Sequence, residues 1–321
     1  MTTWLKFIPL KWIVVGAAGF AVLMIKRYIR RGVCRSKALM VGKTVIVTGS
    51  NSGIGKATAC ELAKRKARVI LACRDIPSAE AAVEEIRRVT RHGELVVKKL
   101  DLASMASIRN FASEILQEEL KLDVLINNAG LFQCPYQTTE DGFEMQMGVN
   151  HLGHFLLTNL LLDRLKESAP SRIVVVSSSL HKKGKIDFDN LNSEKEYNKK
   201  SAYSNSKLAN NLFARELHKH LEGSGVNVYC IHPGVVRTNL ARYMKIPKAV
   251  KLLLFPLAWL FLKSPWDGCQ TILNCAIAEE LQDESGGYYG NCKLEPWTEV
   301  SLDEGVAKKL WEVSEKLTGL A

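Results

Sequence analysis

The chain has 321 residues, 47% of them apolar and 24% charged, which is the composition of an ordinary globular protein. Length and composition predict one large domain with an appendage, and they exclude a disordered, collagen-like or fully membrane-embedded chain. Nine basic residues from Lys6 to Lys43 carry most of the net charge of +11, so residues 44–321 are nearly neutral and we expect no nucleic-acid partner.

The first predicted element is an apolar segment from Phe7 to Ile25, interrupted by Lys11. As a helix rising about 1.5 Å per residue, it is just long enough to span a hydrocarbon core of roughly 30 Å. Basic residues follow the segment without a small-residue cleavage site, which favours an uncleaved anchor over a surface helix or a signal or transit peptide. We therefore expect residues 1–41 to be a single-pass membrane anchor and basic linker, with residues 42–321 facing the cytosol.

Eight cysteines are scattered along a chain far longer than the small domains that need disulfides, so we expect them to be reduced. No cysteine pair and no Cys/His cluster has zinc-binding spacing, and we therefore expect no metal site.

A strand, a glycine-rich loop and a helix follow the linker. Residues 43–48 form an apolar β-branched run, residues 56–66 have helical spacing, and residues 68–73 form a second strand. In this βαβ context the glycines predict a phosphate cradle. Gly49 permits the turn, Gly53 lets the backbone approach the pyrophosphate, and Gly55 packs the helix on the strand. The cradle comprises Gly49, Ser50, Asn51, Ser52, Gly53, Ile54 and Gly55, and its G-x-x-x-G-x-G spacing resembles the short-chain dehydrogenase/reductase family.

The residues after the second strand indicate which dinucleotide binds. Where an NAD site usually places a carboxylate for the ribose 2′-hydroxyl, this chain has Cys73, and Arg74 follows it. A guanidinium binds a 2′-phosphate through charge-assisted hydrogen bonds, so we expect NADP(H). Two alternatives stay open: a shift in register that brings Asp75 toward the ribose, and an Arg74 that is only a solvated loop charge.

The α/β alternation continues with helices at residues 79–91 and 107–120 and strands at residues 95–100 and 124–127. The resemblance implies that the ends of these two strands contact the cofactor. The implied contacts are Asp101 and Leu102 at the adenine, and Asn128, Ala129 and Gly130 beside the ribose and nicotinamide.

Tyr203 and Lys207 lie within a predicted helix at residues 201–221, and their i,i+4 spacing places both side chains on one face. Such a pair is common by itself. It gains meaning from Ser178, at the end of a predicted strand over residues 173–176, and from Asn150 in the preceding helix. Together these residues resemble the family's Asn-Ser-Tyr-Lys tetrad.

Carbonyl reduction explains these residue types. It requires a proton donor, and free tyrosine, with a pKa near 10, is about three units too weak an acid for easy exchange at neutral pH. We expect positive charge from Lys207 and an oxidised nicotinamide to lower the pKa of Tyr203, which then acts as the acid. Ser178 positions the substrate oxygen, with Ser177 and Ser179 as alternatives. The resemblance implies that Lys207 also holds the nicotinamide ribose and that Asn150 anchors a relay water.

After a strand at residues 226–231, the resemblance implies contacts with the nicotinamide end from Pro233, Gly234, Val236 and Thr238. Residues 239–264 then form a predicted substrate lid with an apolar run at residues 249–262. This run is too short for a second membrane span, and Pro256 would break it. We interpret it as a lid that dips into the bilayer, with a buried helix as the alternative, and either favours an apolar substrate.

The resemblance covers roughly residues 42–290 and implies a single Rossmann-type α/β domain, doubly wound around a parallel sheet of seven strands. The apolar N-terminal segment, residues 148–155 and residues 308–320 are most similar to membrane-anchored retinol dehydrogenases of the 11/12/13/14 group. This similarity implies an NADP(H)-dependent enzyme that interconverts retinal and retinol, mainly as a reductase.

The expected partners are a lipophilic, retinoid-like substrate and membrane lipid, and a homo-oligomer is an open alternative. We expect the endoplasmic reticulum membrane as the location, with the mitochondrial membrane and lipid droplet as alternatives. The alternative functions are a membrane-bound reductase of steroids or lipid aldehydes and a catalytically idle membrane interaction protein.

Overall fold

The computed structural model of the protein describes residues 10–29, 32–244, 250, 253, 255, 258 and 260–321. Much of the predicted lid, including Leu252, Leu254 and Trp259, lies outside the described residues, as do residues 7–9 of the predicted anchor.

The amino-terminal half alternates helices and strands. In order they are α1 (Leu10–Ile29), β1 (Thr44–Thr48), α2 (Gly53–Lys64), β2 (Arg68–Cys73), α3 (Ile76–Val89), β3 (Glu94–Lys99), α4 (Met105–Glu118) and β4 (Val124–Asn127). Helices α3 and α4 begin earlier than the apolar spacing predicts, because the side chains of Asp75 and Ser104 cap their first turns.

The carboxyl-terminal half comprises α5 (Met145–Met147), α6 (Gly153–Leu160), α7 (Leu162–Glu167), β5 (Ser171–Val176), α8 (Lys199–His220), β6 (Val226–His232), α9 (Pro265–Ile277), β7 (Gly287–Gly290), β8 (Lys293–Glu295), α10 (Glu299–Leu302) and α11 (Glu304–Thr318). A π-helical turn at Gly148–Leu152 joins α5 to α6. Single 3₁₀ turns occur at Ser179–Lys183, Phe188–Asn190, Asn239–Tyr243 and Glu279–Leu281.

The described strands form one sheet in the order β3-β2-β1-β4-β5-β6-β7-β8. The first seven strands in the chain are parallel, as predicted, and β8 is an additional edge strand antiparallel to β7. Its three residues are too few to show a strand periodicity in the sequence. Asn291 and Cys292, both with positive φ, form the tight turn that returns the chain onto β7.

Helices cover both faces of the sheet, because adjacent residues on a strand point to opposite sides. On β1, Ile46 joins the core that contains Phe155 and Phe213 from α6 and α8, whereas Val45 and Val47 join the opposite core. Central strands enclosed in this way are expected to be apolar throughout, which is the pattern of the predicted strands.

The strand order reverses at β1, which has β2 on one side and β4 on the other. Open α/β sheets bind ligands at such a reversal, outside the carboxyl ends of the strands. The glycine loop after β1, Arg74 after β2 and residues 128–130 after β4 all emerge at this edge. The fold therefore assembles at one place the motifs that are separated in the sequence.

The linker after α1 packs against the domain. The Cys34 amide donates to Gln270 Oε1 at 3.1 Å, and the Met40 amide donates to the Arg65 carbonyl oxygen at 2.7 Å. Ser36 Oγ donates to the Glu279 carboxylate at 2.8 Å. Residues 34–40 thus contact the domain, although the sequence analysis places its boundary at residue 42.

Within the described part of the chain, no helix meets the length and apolarity needed to cross a membrane.

Candidate active site

The glycine loop between β1 and α2 is shaped to receive an anion. Gly49 and Gly53 have φ values of +65° and +56°, and a methyl group added at Gly49 would lie 2.9 Å from Cβ of Ala129. The Ser52 side chain makes no capping hydrogen bond, and the first turn of α2 has no acidic residue. The amide groups of this turn therefore fit a cofactor pyrophosphate.

The two side chains after Cys73 have different roles. Cys73 is buried with its Sγ 3.6 Å from Ser50 Oγ, and burial raises the pKa of its thiol, which stays uncharged at neutral pH. The Asp75 carboxylate caps α3, accepting from the amide and hydroxyl of Ser78 at 3.1 and 2.8 Å. The Arg74 side chain is 64% exposed. The Asp75 carboxylate is thus occupied by its hydrogen bonds to the first turn of α3. The exposed Arg74 guanidinium is the group of the two that fits a ribose phosphate.

Asp101, at the predicted adenine contact, forms the turn that follows β3. Its amide donates to Ser107 Oγ, and its Oδ1 accepts from the Ala103 amide, both at 3.0 Å. Its second carboxylate oxygen lies 3.9 Å from Arg74 Nε. Asp101, predicted at the adenine, and Arg74, predicted at the 2′-phosphate, are therefore neighbours.

The hydroxyl of Thr48, at the end of β1, organises the loop after β4. Its Oγ1 lies 2.9 Å from the amide nitrogens of Asn128 and Ala129 and 2.9 Å from Nε2 of His154. His154 Nδ1 lies 3.1 Å from the Asn150 carbonyl oxygen, which can only accept, so Nδ1 carries the proton and Nε2 accepts from Thr48. Burial lowers the pKa of His154 to about 3, which keeps this ring neutral.

The Asn150 side chain is fully buried in the π-helical turn, and its amide is engaged at both ends. Its Oδ1 accepts from the Leu131 amide at 2.8 Å, and its Nδ2 donates to the Leu131 carbonyl and to Ser206 Oγ at 3.1 and 2.9 Å. Ser206 Oγ donates to the Tyr203 carbonyl oxygen at 2.8 Å. Asn150 therefore joins the loop after β4 to the helix of Tyr203, and its role with a relay water stays a prediction.

The three consecutive serines after β5 have different surroundings. Ser177 is buried, and its hydroxyl donates to the Lys207 carbonyl oxygen at 2.9 Å. Ser179 is exposed in the 3₁₀ turn. Ser178 is half-buried, and its side chain is close enough to Tyr203 to lower the pKa of that phenol. Of the three, Ser178 is the one that the structure brings to the tyrosine.

Tyr203 and Lys207 are almost completely buried on one face of α8. Lys207 Nζ lies 5.9 Å from the centre of the Tyr203 ring and donates to the Val176 carbonyl oxygen at 2.9 Å. Burial raises the pKa of Tyr203 to about 12, opposed by the nearby Ser178 side chain, and burial lowers the pKa of Lys207 to about 8.

The pKa of Tyr203 thus shifts upward in the protein by itself. Its lowering by Lys207 together with an oxidised nicotinamide stays a prediction. The reason for the upward shift is desolvation, which disfavours both the tyrosinate and the ammonium. A sequence pattern reveals which groups are near each other, but it does not reveal how far water is excluded from them.

The segment after β6 approaches the glycine loop from the other side. A methyl group added at Gly53 would lie 3.1 Å from the Thr238 methyl. Gly234 has a φ of +79°, and Val236 forms a parallel bridge with Lys263. Gly130 completes this arrangement, because a methyl group there would lie 3.6 Å from Lys207 Nζ. Thr238 thus lies beside the glycine loop, and the loop after β4 lies beside Lys207.

Sequence reasoning missed Thr48, His154 and Phe132. The four-residue spacing between Asn150 and His154 was an available signal, since it places two polar side chains on one face of an apolar helix. Phe132 lies edge-on to Tyr203, with ring centres 4.6 Å apart. Only the fold brings those two rings together. The described residues contain no group of three or more His, Cys, Asp or Glu side chains suited to a metal ion.

Comparison with known proteins identifies relatives over most of the chain. The short chain dehydrogenase family model matches residues 43–248. Retinol dehydrogenase 14 of Homo sapiens is 56% identical over 305 residues, which cover 91% of this chain and 90% of that protein. Retinol dehydrogenase 13 of Homo sapiens is 52% identical, covering 95% and 93% of the two chains.

Solved structures share the fold. A crystal structure of an uncharacterised protein from Mycobacterium paratuberculosis has a TM-score of 0.70 and 37% identity, covering 90% of this chain and 98% of that one. The NADP active-site complex of RhlG from Pseudomonas aeruginosa has a TM-score of 0.62 and 25% identity, covering 78% and 94%.

Thr48→Val should destabilise the protein by roughly 3 kcal/mol, because the half-buried amides of Asn128 and Ala129 and the buried ring of His154 lose their shared partner. Thr48→Ser keeps the hydroxyl and should cost about 1 kcal/mol or less. The free energy of unfolding measured by urea denaturation compares the two variants. Equal losses would show that the methyl group, and not the hydroxyl, stabilises this edge of the sheet.

Proposed function

The chain belongs to the short-chain dehydrogenase family and is an alcohol dehydrogenase-like oxidoreductase, and on that premise we propose that it interconverts retinal and retinol with NADP(H), mainly as a reductase. The observation that carries this proposal is the buried Tyr203, with Ser178 and Lys207 beside it, at the edge of the sheet where the cofactor motifs converge. The relatives named retinol dehydrogenase support the choice of substrate.

In this proposal Tyr203 donates its proton to the carbonyl oxygen of the substrate. A pKa of about 12 keeps the hydroxyl protonated at neutral pH, which is the form that reduction requires. Ser178 orients the same oxygen through its hydroxyl, and the Lys207 ammonium holds the nicotinamide ribose. A nicotinamide held there would supply or accept the hydride.

Three observations support NADP(H) over NAD(H). The position of the usual NAD carboxylate is occupied by an uncharged, buried thiol, that of Cys73. Asp75 is engaged with the first turn of α3, whereas the Arg74 guanidinium is exposed beside Asp101. A structure of similar fold was solved with NADP in its active site.

Exposed apolar side chains support a lipophilic substrate and contact with membrane lipid. In the described part of the lid, Leu253 is 77% exposed, and Phe255 and Phe261 are more than half exposed. In α1, Trp12, Phe20 and Leu23 are each more than 60% exposed. We propose that α1 anchors the protein in the endoplasmic reticulum membrane, that the lid lies at its surface, and that the catalytic domain faces the cytosol.

Tyr203→Phe should lower the turnover of retinal reduction at least about 100-fold, because the ring remains but the proton is gone. NADPH affinity, measured by fluorescence titration, should change little. Ser178→Ala and Ser179→Ala form a matched pair, of which the first alone should impair turnover. Retained turnover in Tyr203→Phe would mean that another group is the acid. The substrate class is tested by assaying steroid ketones and long-chain aldehydes beside retinal. If the enzyme reduces one of these faster than retinal, that compound class replaces retinal as the proposed substrate.

Arg74→Ala should weaken NADPH binding about tenfold or more while NADH binding stays within twofold, because only the 2′-phosphate loses a charge-assisted partner. Arg88→Ala, which removes an exposed guanidinium from α3, is the matched control and should change neither affinity. Equal losses of NADPH and NADH affinity in Arg74→Ala would contradict the cofactor assignment.

A chain that starts at Gly32 lacks α1 but keeps the linker contacts, and it should be released only partly from microsomes by an alkaline carbonate wash. Adding Leu253→Glu and Phe261→Glu should release the rest, because two carboxylates oppose burial of the lid in the interface. Full-length protein should stay bound throughout. Release of the full-length protein by the same wash would rule out α1 as an anchor.

A further inference from the structure

Phe132 packs against the ring of Tyr203, the proposed proton donor. It belongs to the loop after β4, and its ring meets the Tyr203 ring edge-on, with centres 4.6 Å apart and planes at 88°. The Phe132 side chain is only half-buried. A substrate whose carbonyl reaches the Tyr203 hydroxyl therefore has this ring as a neighbour.

The backbone beside Phe132 is held in an unfavourable conformation. Gln133 has a φ of +50°, in the left-handed region that residues other than glycine seldom adopt. Its amide donates to Oε1 of Gln146 at 2.7 Å. Gln146 is completely buried, whereas Gln133 is half-buried. A distant side chain thus stabilises the turn that places Phe132.

The other end of the same amide group reaches the helix of Tyr203. Gln146 Nε2 donates to the Tyr197 hydroxyl at 3.0 Å and to the Lys199 carbonyl oxygen at 3.1 Å. Lys199 is the first residue of α8 and precedes Tyr203 by four positions. The Tyr197 hydroxyl donates to the Cys134 carbonyl oxygen at 2.7 Å, which returns the network to the loop of Phe132.

Gln146 is itself fixed by its neighbours. The Glu144 carboxylate is buried and accepts from the amides of Gln146 and Met147 at 2.9 and 2.8 Å. We call the hydrogen bonds from Gln146 to Gln133, Tyr197 and Lys199 the clamp. Because Gln146 accepts from the first of these and donates to the other two, the clamp needs a side chain that does both. Glutamine does both, whereas a glutamate carboxylate only accepts and methionine makes neither bond.

We propose that Gln146 is a positioning residue that locks the loop after β4 to the first turn of α8, and that Phe132, held in this way, selects long apolar carbonyl substrates over short ones. The selection rests on the proposed function, because it presupposes a carbonyl at Tyr203. The clamp between the loop and the helix does not, and it can be measured without turnover.

Hydrogen exchange tests the clamp in the full chain. Gln146→Met keeps the volume but loses the amide, so the Gln133 amide should exchange at least about tenfold faster than in wild type. The Leu131 amide, which Asn150 holds at 2.8 Å, should keep its protection. Gln117→Met, at an exposed glutamine on α4, is the matched control and should change neither. Unchanged exchange at Gln133 would overturn the clamp.

Steady-state kinetics test the selection. Phe132→Ala should raise KM for retinal roughly tenfold with little change in kcat, while KM for a short soluble aldehyde stays within twofold. Gln146→Met should reproduce this pattern without contacting substrate. The double variant should resemble Phe132→Ala alone, because both changes remove the same contact between the Phe132 ring and the substrate.

Two results would overturn the selection: equal KM increases for both substrates, or effects that multiply in the double variant. If Gln146→Met does not fold, Tyr197→Phe breaks the same network at a half-buried hydroxyl and takes its place. A wild-type protein that turns over neither substrate contradicts the proposed function, while the exchange result still decides the clamp. A merely structural Gln146 would lower thermal stability without discriminating between the two substrates.

Discussion

Burial of an ammonium group beside a phenol is the constraint on which this site depends. Lys207 and Tyr203 lie on one face of α8 with almost no exposure, and burial shifts both pKa values so that each group favours its neutral form. The pKa of Lys207 is about 8 and that of Tyr203 about 12, so the ammonium is the group that deprotonates at lower pH. In the protein without cofactor we therefore expect the tyrosine to keep the proton that reduction consumes.

The polar network around this pair connects the sheet to the helix. Thr48 at the end of β1 binds His154, the His154 ring binds the Asn150 backbone, and the Asn150 side chain binds Ser206 one turn from Tyr203. Each of these buried groups has a partner, and such groups are costly to leave unpaired. This network links the glycine loop to the helix of the proposed proton donor. The hydrogen bonds of Gln146 link the same helix to the loop of Phe132.

Local patterns in the sequence predict much of this arrangement. The apolar run before Gly49 and the helical spacing after Gly55 are local signals, and they correctly predict a strand, a glycine loop and a helix. Contacts between distant positions have no such signal: Gln133 meets Gln146, and Phe132 meets Tyr203, only after the chain folds. The upward pKa shift of Tyr203 was also inaccessible, because desolvation is a property of the packed core.

The most direct test of this account is the ionisation of Tyr203, followed by ultraviolet difference absorbance as wild type minus Tyr203→Phe, with and without NADP⁺. In the cofactor-free state, wild type and Lys207→Met should show the same late onset of tyrosinate. With NADP⁺ bound, the wild-type onset should move to lower pH by about one unit or more, and the shift should be smaller in Lys207→Met. An onset at one pH in all four states would contradict the claim that the buried lysine and the cofactor together control the proton donor.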